Sequence, residues 1–324
     1  MTKAIRIHQT GGPEVLRWED IDVDEPGKGQ VRLRQTACGL NYIDVYGRSG
    51  LYPVAGFPAI LGMEAVGIVE AVGEGVSSIS SGDRVAYVMQ IGAYAEARLI
   101  SADHLVKIPP GIDDQTAAAM MLKGLTAHYL LFRTYPVQTS DSILVYAAAG
   151  GVGLILCQWA SLLGATVIGC VGTEEKAELA KANGCDHTIL YREEDIPVRV
   201  RDLTDGKGVA AAYDSIGKAT FEASLESLQP FGVLATYGNA SGPVEPFNPG
   251  ILGPKGSLYV TRPTLATHVA TRELLEQGSE RLIEVVENKQ VKIHVNQTYA
   301  LAECAEAHRN LEARNTTGST VLVP

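Results

Sequence analysis

The residues with the plainest chemical use are the glycines of Ala148-Ala149-Gly150-Gly151-Val152-Gly153. They overlay the dinucleotide fingerprint G-x-G-x-x-G, with Ala148 in place of the first glycine. Gly150 would let backbone approach a pyrophosphate, and Gly153 would let a helix sit close to a strand. A tight structural turn is the competing use of these six residues. Proteins that prefer NAD usually carry Asp or Glu about 20 residues further on, where it accepts hydrogen bonds from the adenine-ribose diol. Here that stretch reads Cys170-Val171-Gly172-Thr173. Gly172 leaves room, Thr173 supplies a hydroxyl, and Lys176 carries an ammonium one turn into the next helix. Tyr191 and Arg192 add a phenol and a second cation at the end of the third strand. This set suits a 2′-phosphate and favours NADP(H) over NAD(H). Glu174 and Glu175 are competing ligands for a diol, and a solvated, glutamate-paired lysine is the competing use of Lys176.

The elements that must position these residues alternate. Ser142–Tyr146 is a short apolar run suited to a strand buried on both faces of a parallel sheet. The stretch after Gly153 is helical, and its first turn would present unpaired N–H groups and the positive end of the macrodipole to a phosphate. Strands are expected at 142–147, 166–171, 187–190, 209–214, 233–237 and 257–260. Helices are expected at 152–163, 174–183, 196–203 and 219–228. This is a doubly wound α/β sheet. Before it, short strands at 4–8, 31–37, 67–72, 84–87 and 95–100 are broken by Gly11-Gly12-Pro13, Pro26-Gly27 and Pro109-Pro110-Gly111, the pattern of a partly open β-barrel. A helix over 115–132, capped by Asp113 or Asp114, leads into the nucleotide unit. Helices near 271–288 and 301–312 and a strand at 319–323 fit a late segment rejoining the first domain.

Composition narrows the function classes. The chain has 324 residues and a formal net charge of −10, which argues against a general affinity for nucleic acid or anionic membrane. No apolar run approaches the ~20 residues of a membrane span, and the start M-T-K-A-I-R-I-H lacks the apolar core of a signal peptide. A cytoplasmic location is expected. The five cysteines, Cys38, Cys157, Cys170, Cys185 and Cys304, are scattered and form no C-x-x-C pair, so reduced packing residues are expected.

Several stretches carry a resemblance in combination: His8–Leu16, Gly39-Leu40-Asn41-Tyr42-Ile43-Asp44, Arg48–Pro53, Lys123-Gly124-Leu125-Thr126, Ala147–Gly153, Tyr213–Gly217 and Gly256–Pro263. On these the chain resembles the medium-chain dehydrogenase/reductase superfamily, and within it the zinc-free quinone oxidoreductases related to zeta-crystallin. The resemblance implies a GroES-like catalytic domain at 1–123, a Rossmann domain at 124–263 and a C-terminal segment, 264–324, returning to the first. Zinc-dependent members hold the metal through G-x-C-H-x-D and G-H-E motifs and carry a four-cysteine lobe. Here Asn41 stands at the cysteine position and Met63 at the histidine position, the lobe is missing, and Cys38 is out of phase. No catalytic zinc is expected, and so no Lewis-acid polarisation of a carbonyl.

Without metal, a nicotinamide can still reduce an acceptor that is already electron-poor, such as a quinone or a conjugated enone. The resemblance therefore implies NADPH:quinone reduction. It places Asn41, Tyr46, Tyr52, Thr126 and Arg262 around the acceptor: Asn41 as an amide donor to a quinone oxygen, Tyr46 and Tyr52 as loop tyrosines giving hydroxyls and aromatic walls, and Thr126 at the nicotinamide carboxamide. Further cofactor contacts implied are Tyr42, Ile43, Tyr129, Gly151, Val152, Ser215, Gly238, Asn239, Ser241 and Arg314. No residue is a certain acid or base. The strand Gly256–Val260, at the sheet edge, would pair with a two-fold mate, giving a homodimer. Reduction of conjugated alkenes is the alternative activity. An NADPH-responsive RNA-binding or structural protein is the non-enzymatic one, disfavoured by the absence of a Lys/Arg cluster.

Overall fold

The computed structural model describes residues 2–324. The first 110 residues form strands β1 (Thr2–Ile7), β2 (Arg17–Ile21), β3 (Gln30–Leu40), β4 (Ala59–Ile60), β5 (Glu64–Val72), β6 (Arg84–Val88), β7 (Ala97–Ser101) and β8 (Val106–Lys107), with one helix among them, α1 (Tyr42–Ser49). Helix α2 (Asp114–Tyr129) follows and runs into a π turn, Leu130–Thr134. Then strands β9 (Ser142–Tyr146), β10 (Thr166–Val171), β11 (His187–Leu190), β12 (Val209–Asp214), β13 (Leu228–Thr236) and β14 (Tyr259–Thr261) alternate with α3 (Gly151–Leu162), α4 (Glu174–Lys181), α5 (Ile196–Leu203) and α6 (Phe221–Ser227). The chain closes with α7 (Leu265–His268), α8 (Arg272–Glu287), β15 (Val295–Ala300), α9 (Cys304–Glu312) and β16 (Ser319–Val323).

Two compact units result. One runs to Leu125 and takes back Val269–Glu287 and Ile293–Pro324; the other comprises Thr126–His268 and Asn288–Lys292.

In the second unit six parallel strands lie in the order β11-β10-β9-β12-β13-β14. This order is that of a Rossmann sheet, and the reversal of direction falls between β9 and β12, where such folds take their ligand. The strands are apolar because helices cover both faces: every residue of β12 is buried, as are four of the five of β9. The chain turns left-handed at Ala147 (φ 50°) to leave β9 and start α3.

In the first unit β15, β16, β3, β5, β6 and β8 form one sheet, with β7 also paired to β3, and β2-β1-β4 form a smaller one. Ile5, Ile7, Val31, Leu33, Leu105 and Leu322 are among the core residues, each at most 1% exposed. The α1 helix replaces the loop expected around Tyr46. Asn41 is extended at its start (φ −138°), its N–H donates 2.9 Å to Asp44 Oδ2, and Gly50 ends the helix in the left-handed region (φ 85°).

Candidate functional site

The nucleotide half of the site is built by the turns at the carboxyl ends of the second unit's strands. Gly150 is the N-cap of α3 with no side chain capping it, which leaves the helix N-terminus to backbone N–H groups. A Cβ on Gly153 would lie 2.2 Å from the Ala147 carbonyl oxygen, so α3 approaches the turn as closely as only glycine permits. At the tip of β10, a Cβ on Gly172 would meet Tyr191 Oη at 2.8 Å, so these two residues are brought together. Thr173 does not point a free hydroxyl outward: its Oγ accepts from the Lys176 N–H at 3.3 Å and caps α4. Lys176 lies in the first turn of α4. No carboxylate occupies the β10 tip, and Glu174 and Glu175 sit on the exposed first turn of α4.

After β12, buried Asp214 accepts from the N–H groups of Ile216 (2.7 Å) and Gly217 (3.1 Å) and from the Thr220 hydroxyl (2.8 Å). Burial raises its carboxyl above the usual range, opposed by these donors. The turn that holds Ser215 is thereby rigid, and Gly238 packs against the Ser215 carbonyl. Ser241 spends its hydroxyl locally, donating to Ile216 O (2.9 Å) and accepting from Ala219 N–H (3.0 Å). Its function is to join the loops after β12 and β13, a use that sequence spacing did not reveal. Asn239 follows in the same loop.

Thr126 and Tyr129, near the end of α2, are 5% and 2% exposed. Tyr129 stacks on His268 with ring centroids 4.3 Å apart and planes 3° from parallel. Burial pushes the Tyr129 phenol up, with Arg262 opposing, and pushes the His268 imidazole down, with Arg133 adding to the effect. Arg262 is thus near Tyr129, and it also donates to Pro263 O at 3.3 Å.

The first unit carries the tyrosines. Tyr42, Tyr46 and Tyr52 form a continuous aromatic series, with centroids 6.1 Å and then 5.1 Å apart. Tyr42 donates to Leu311 O at 3.2 Å, and Arg314 lies close enough to moderate the burial-driven rise of its phenol. Tyr46 is 8% exposed on α1, in place of the loop position expected. Ile43 is half-buried on the same helix.

Asn41 has a different partner from the one expected. Its Nδ2 donates 2.8 Å to Glu64 Oε1, so at least one of its two amide hydrogens is held inside the protein. Glu64 is fully buried and also accepts from Lys123 Nζ at 3.0 Å and from the Leu122 N–H at 2.6 Å. Lys123 itself is 5% exposed. Neither Glu64 nor Lys123 was singled out from the sequence, although Lys123 lies in a stretch that carried the resemblance; the signal for Glu64 was a carboxylate retained beside Met63. Among the described residues, no three His, Cys, Asp or Glu side chains are grouped as a metal ion would require.

A parallel sheet in Rossmann order with a glycine turn at its switch point, on a chain whose other unit is a β-sheet domain, defines a medium-chain dehydrogenase/reductase. Two family patterns match accordingly: "Alcohol dehydrogenase GroES-like domain" over residues 27–110 and "Zinc-binding dehydrogenase" over residues 151–279. A quinone oxidoreductase of Pseudomonas aeruginosa is 51% identical over the whole of both chains. A crystal structure of Escherichia coli quinone oxidoreductase complexed with NADPH superposes with a TM-score of 0.98 at 46% identity, again covering all of both chains. A 2-haloacrylate reductase of a Burkholderia species is 46% identical, over 100% of this chain and 99% of its own. The chain belongs to the zinc-free quinone oxidoreductase family of that superfamily.

Proposed function

We propose that this protein is an NADPH-dependent quinone oxidoreductase that works without a metal. The observation that carries this reading is that Asn41 and Met63 stand where zinc-dependent members carry Cys and His, on a chain whose Rossmann unit keeps its dinucleotide turn. Bound NADPH supplies a hydride, or its equivalent in single electrons, and the balanced reaction converts NADPH, a proton and a quinone into NADP+ and a hydroquinone. Such an acceptor is electron-poor before it binds, so it needs positioning and dipoles more than a Lewis acid.

The chain's own residues divide this work. Gly150, Gly151, Val152 and the first turn of α3 receive the pyrophosphate. Gly172, Thr173, Lys176 and Tyr191 receive the 2′-phosphate end, while Ser215, Gly238 and Asn239 line the switch point. Thr126, Tyr129 and Arg262, with Tyr42, Ile43 and Arg314, serve the nicotinamide end. Tyr46 and Tyr52 offer faces and hydroxyls to a flat acceptor. The names of the relatives support the reading, and that of the 2-haloacrylate reductase supports a second one, reduction of an alkene conjugated to a carboxylate. No described helix is long and apolar enough to cross a membrane.

The test follows NADPH and NADH oxidation with a panel of benzoquinones and naphthoquinones beside conjugated enones and a haloacrylate. Turnover that is fastest with quinones and NADPH is expected. Turnover confined to the alkenes would select the second reading, and no oxidation with any acceptor would contradict both.

A further inference from the structure

The Glu64 side chain has no exposure, and burial of an isolated carboxylate is strongly unfavourable unless it is paired and hydrogen-bonded. It has three donors: the Lys123 ammonium, the Leu122 N–H and the Asn41 amide. The space is fitted to it, because a Cβ on Gly39 would lie 2.2 Å from Glu64 Oε1 and 2.4 Å from Ala118 O. Both Lys123 and Asn41 donate to the same oxygen, Oε1. A carboxylate only accepts, so it fixes which end of the Asn41 amide faces inward: Nδ2 is held and Oδ1 is turned the other way. Of the three donors, only Lys123 brings a full charge.

We infer that Lys123 is a positioning residue for the reaction proposed above: its ion pair with Glu64 Oε1 fixes the carboxylate, and that carboxylate holds the Asn41 amide in one orientation toward the acceptor. The inference rests on the quinone reductase reading. It leaves Asn41 the second hydrogen of Nδ2 to donate to a quinone oxygen, the first being committed to Glu64.

A double-mutant cycle tests it. Lys123→Met and Asn41→Ala are each expected to lower kcat/KM for the quinone by roughly tenfold to a hundredfold, the usual range for a misplaced contact, with NADPH affinity changed less than twofold. In Asn41→Ala, the further change Lys123→Met is expected to cost nothing more in kcat/KM while still lowering Tm. A merely structural lysine would lower Tm without this loss of additivity. Should Lys123→Met fail to fold, the neutral pair Glu64→Gln/Lys123→Met takes its place, with the same expectation. Losses that multiply, or a Lys123 variant with wild-type kcat/KM, overturn the inference.

The second readout does not need turnover. The Asn41 side-chain amide, assigned by its disappearance in Asn41→Ala, should give resolved, slowly exchanging proton–nitrogen resonances in the wild type and fast-exchanging ones in the Lys123 variant. A wild type without quinone turnover contradicts the proposed function, and these resonances then decide the positioning: slow exchange that survives loss of Lys123 overturns it.

Discussion

In the proposed reading, Lys176 is the one side chain on which cofactor choice turns. It lies in the first turn of α4, whose N-cap is Thr173, four residues after Gly172. Replacing it with glutamate sets a carboxylate against a 2′-phosphate, and like charges in contact cost several kcal/mol. Lys176→Glu should weaken NADPH binding by roughly a hundredfold and NADH binding by less than about threefold. Fluorescence titration with both cofactors checks this, and equal losses would mean that Lys176 does not meet the 2′-phosphate. The strand, turn and helix start within Ser142–Gly153, and the next strand tip and helix start within Val171–Lys176, were legible in the sequence because their residues are consecutive. The Asn41–Glu64–Lys123 group was not. Its members come from three elements, with 59 positions between Glu64 and Lys123, and no local pattern ties them.

At the scale of elements, α1 carries Tyr42 and Tyr46 and is anchored by a buried polar chain. Arg48, 2% exposed, grips Glu312 with two bonds of 2.7 and 2.8 Å and donates 3.0 Å to His308 Nδ1. Arginine only donates, so Nδ1 accepts and the imidazole proton belongs on Nε2, which faces Tyr94 Oη at 3.4 Å. Tyr94 in turn donates 2.8 Å to Asp44 Oδ2. Burial, opposed by Tyr94 and the Asn41 N–H, pushes Asp44 up to about 7, and burial with the nearby Arg48 charge pushes His308 down to about 3. The two have opposite consequences for stability. Between pH 4 and 7 folded Asp44 keeps a proton that the unfolded chain releases, so its contribution falls as pH rises. Between pH 3 and 6.5 the unfolded chain binds a proton that folded His308 refuses, so this contribution grows as pH rises. The wild type should therefore show a shallow dependence across this range. Asp44→Asn should uncover the His308 limb, with stability climbing from pH 3 to 6.5 and then level. His308→Gln should uncover the Asp44 limb, falling from pH 4 to 7. Urea midpoints at each pH measure both, and parallel curves for the three proteins would contradict the assignment. Helix α1 itself was illegible because Tyr42–Ser49 is only eight residues long and contains Gly47; its capping by Asp44 and Gly50 outweighs that composition. Strand β15, with alternating partly buried and exposed residues, was passed over as well: it gains its place by pairing with β16.

For the whole molecule, β14 ends the six-stranded sheet and pairs on one side only, with β13. Tyr259 on this strand is 60% exposed and Phe231, beside it in β13, is 68% exposed. An edge with unpaired backbone groups and exposed aromatics suits pairing with a second copy. On the proposed homodimer, Tyr259→Arg should shift the sedimentation coefficient to that of a monomer at low micromolar concentration, and an unchanged dimer would place the interface elsewhere. The doubly wound order of this sheet followed from the alternation of apolar runs and helices, whereas the return of β15 and β16 to the first sheet is a long-range pairing that composition only hinted at.

The account's central claim is that the acceptor's own electron deficiency, together with an internal ammonium and amide, takes the place of a catalytic metal. The most direct test is the initial rate of NADPH oxidation with a benzoquinone, measured on the same preparation before and after exhaustive dialysis against a chelator, with metal content determined for both. The rate should be unchanged at less than about one metal per ten chains. A rate that falls with removal of the metal and returns when zinc is restored would contradict the account.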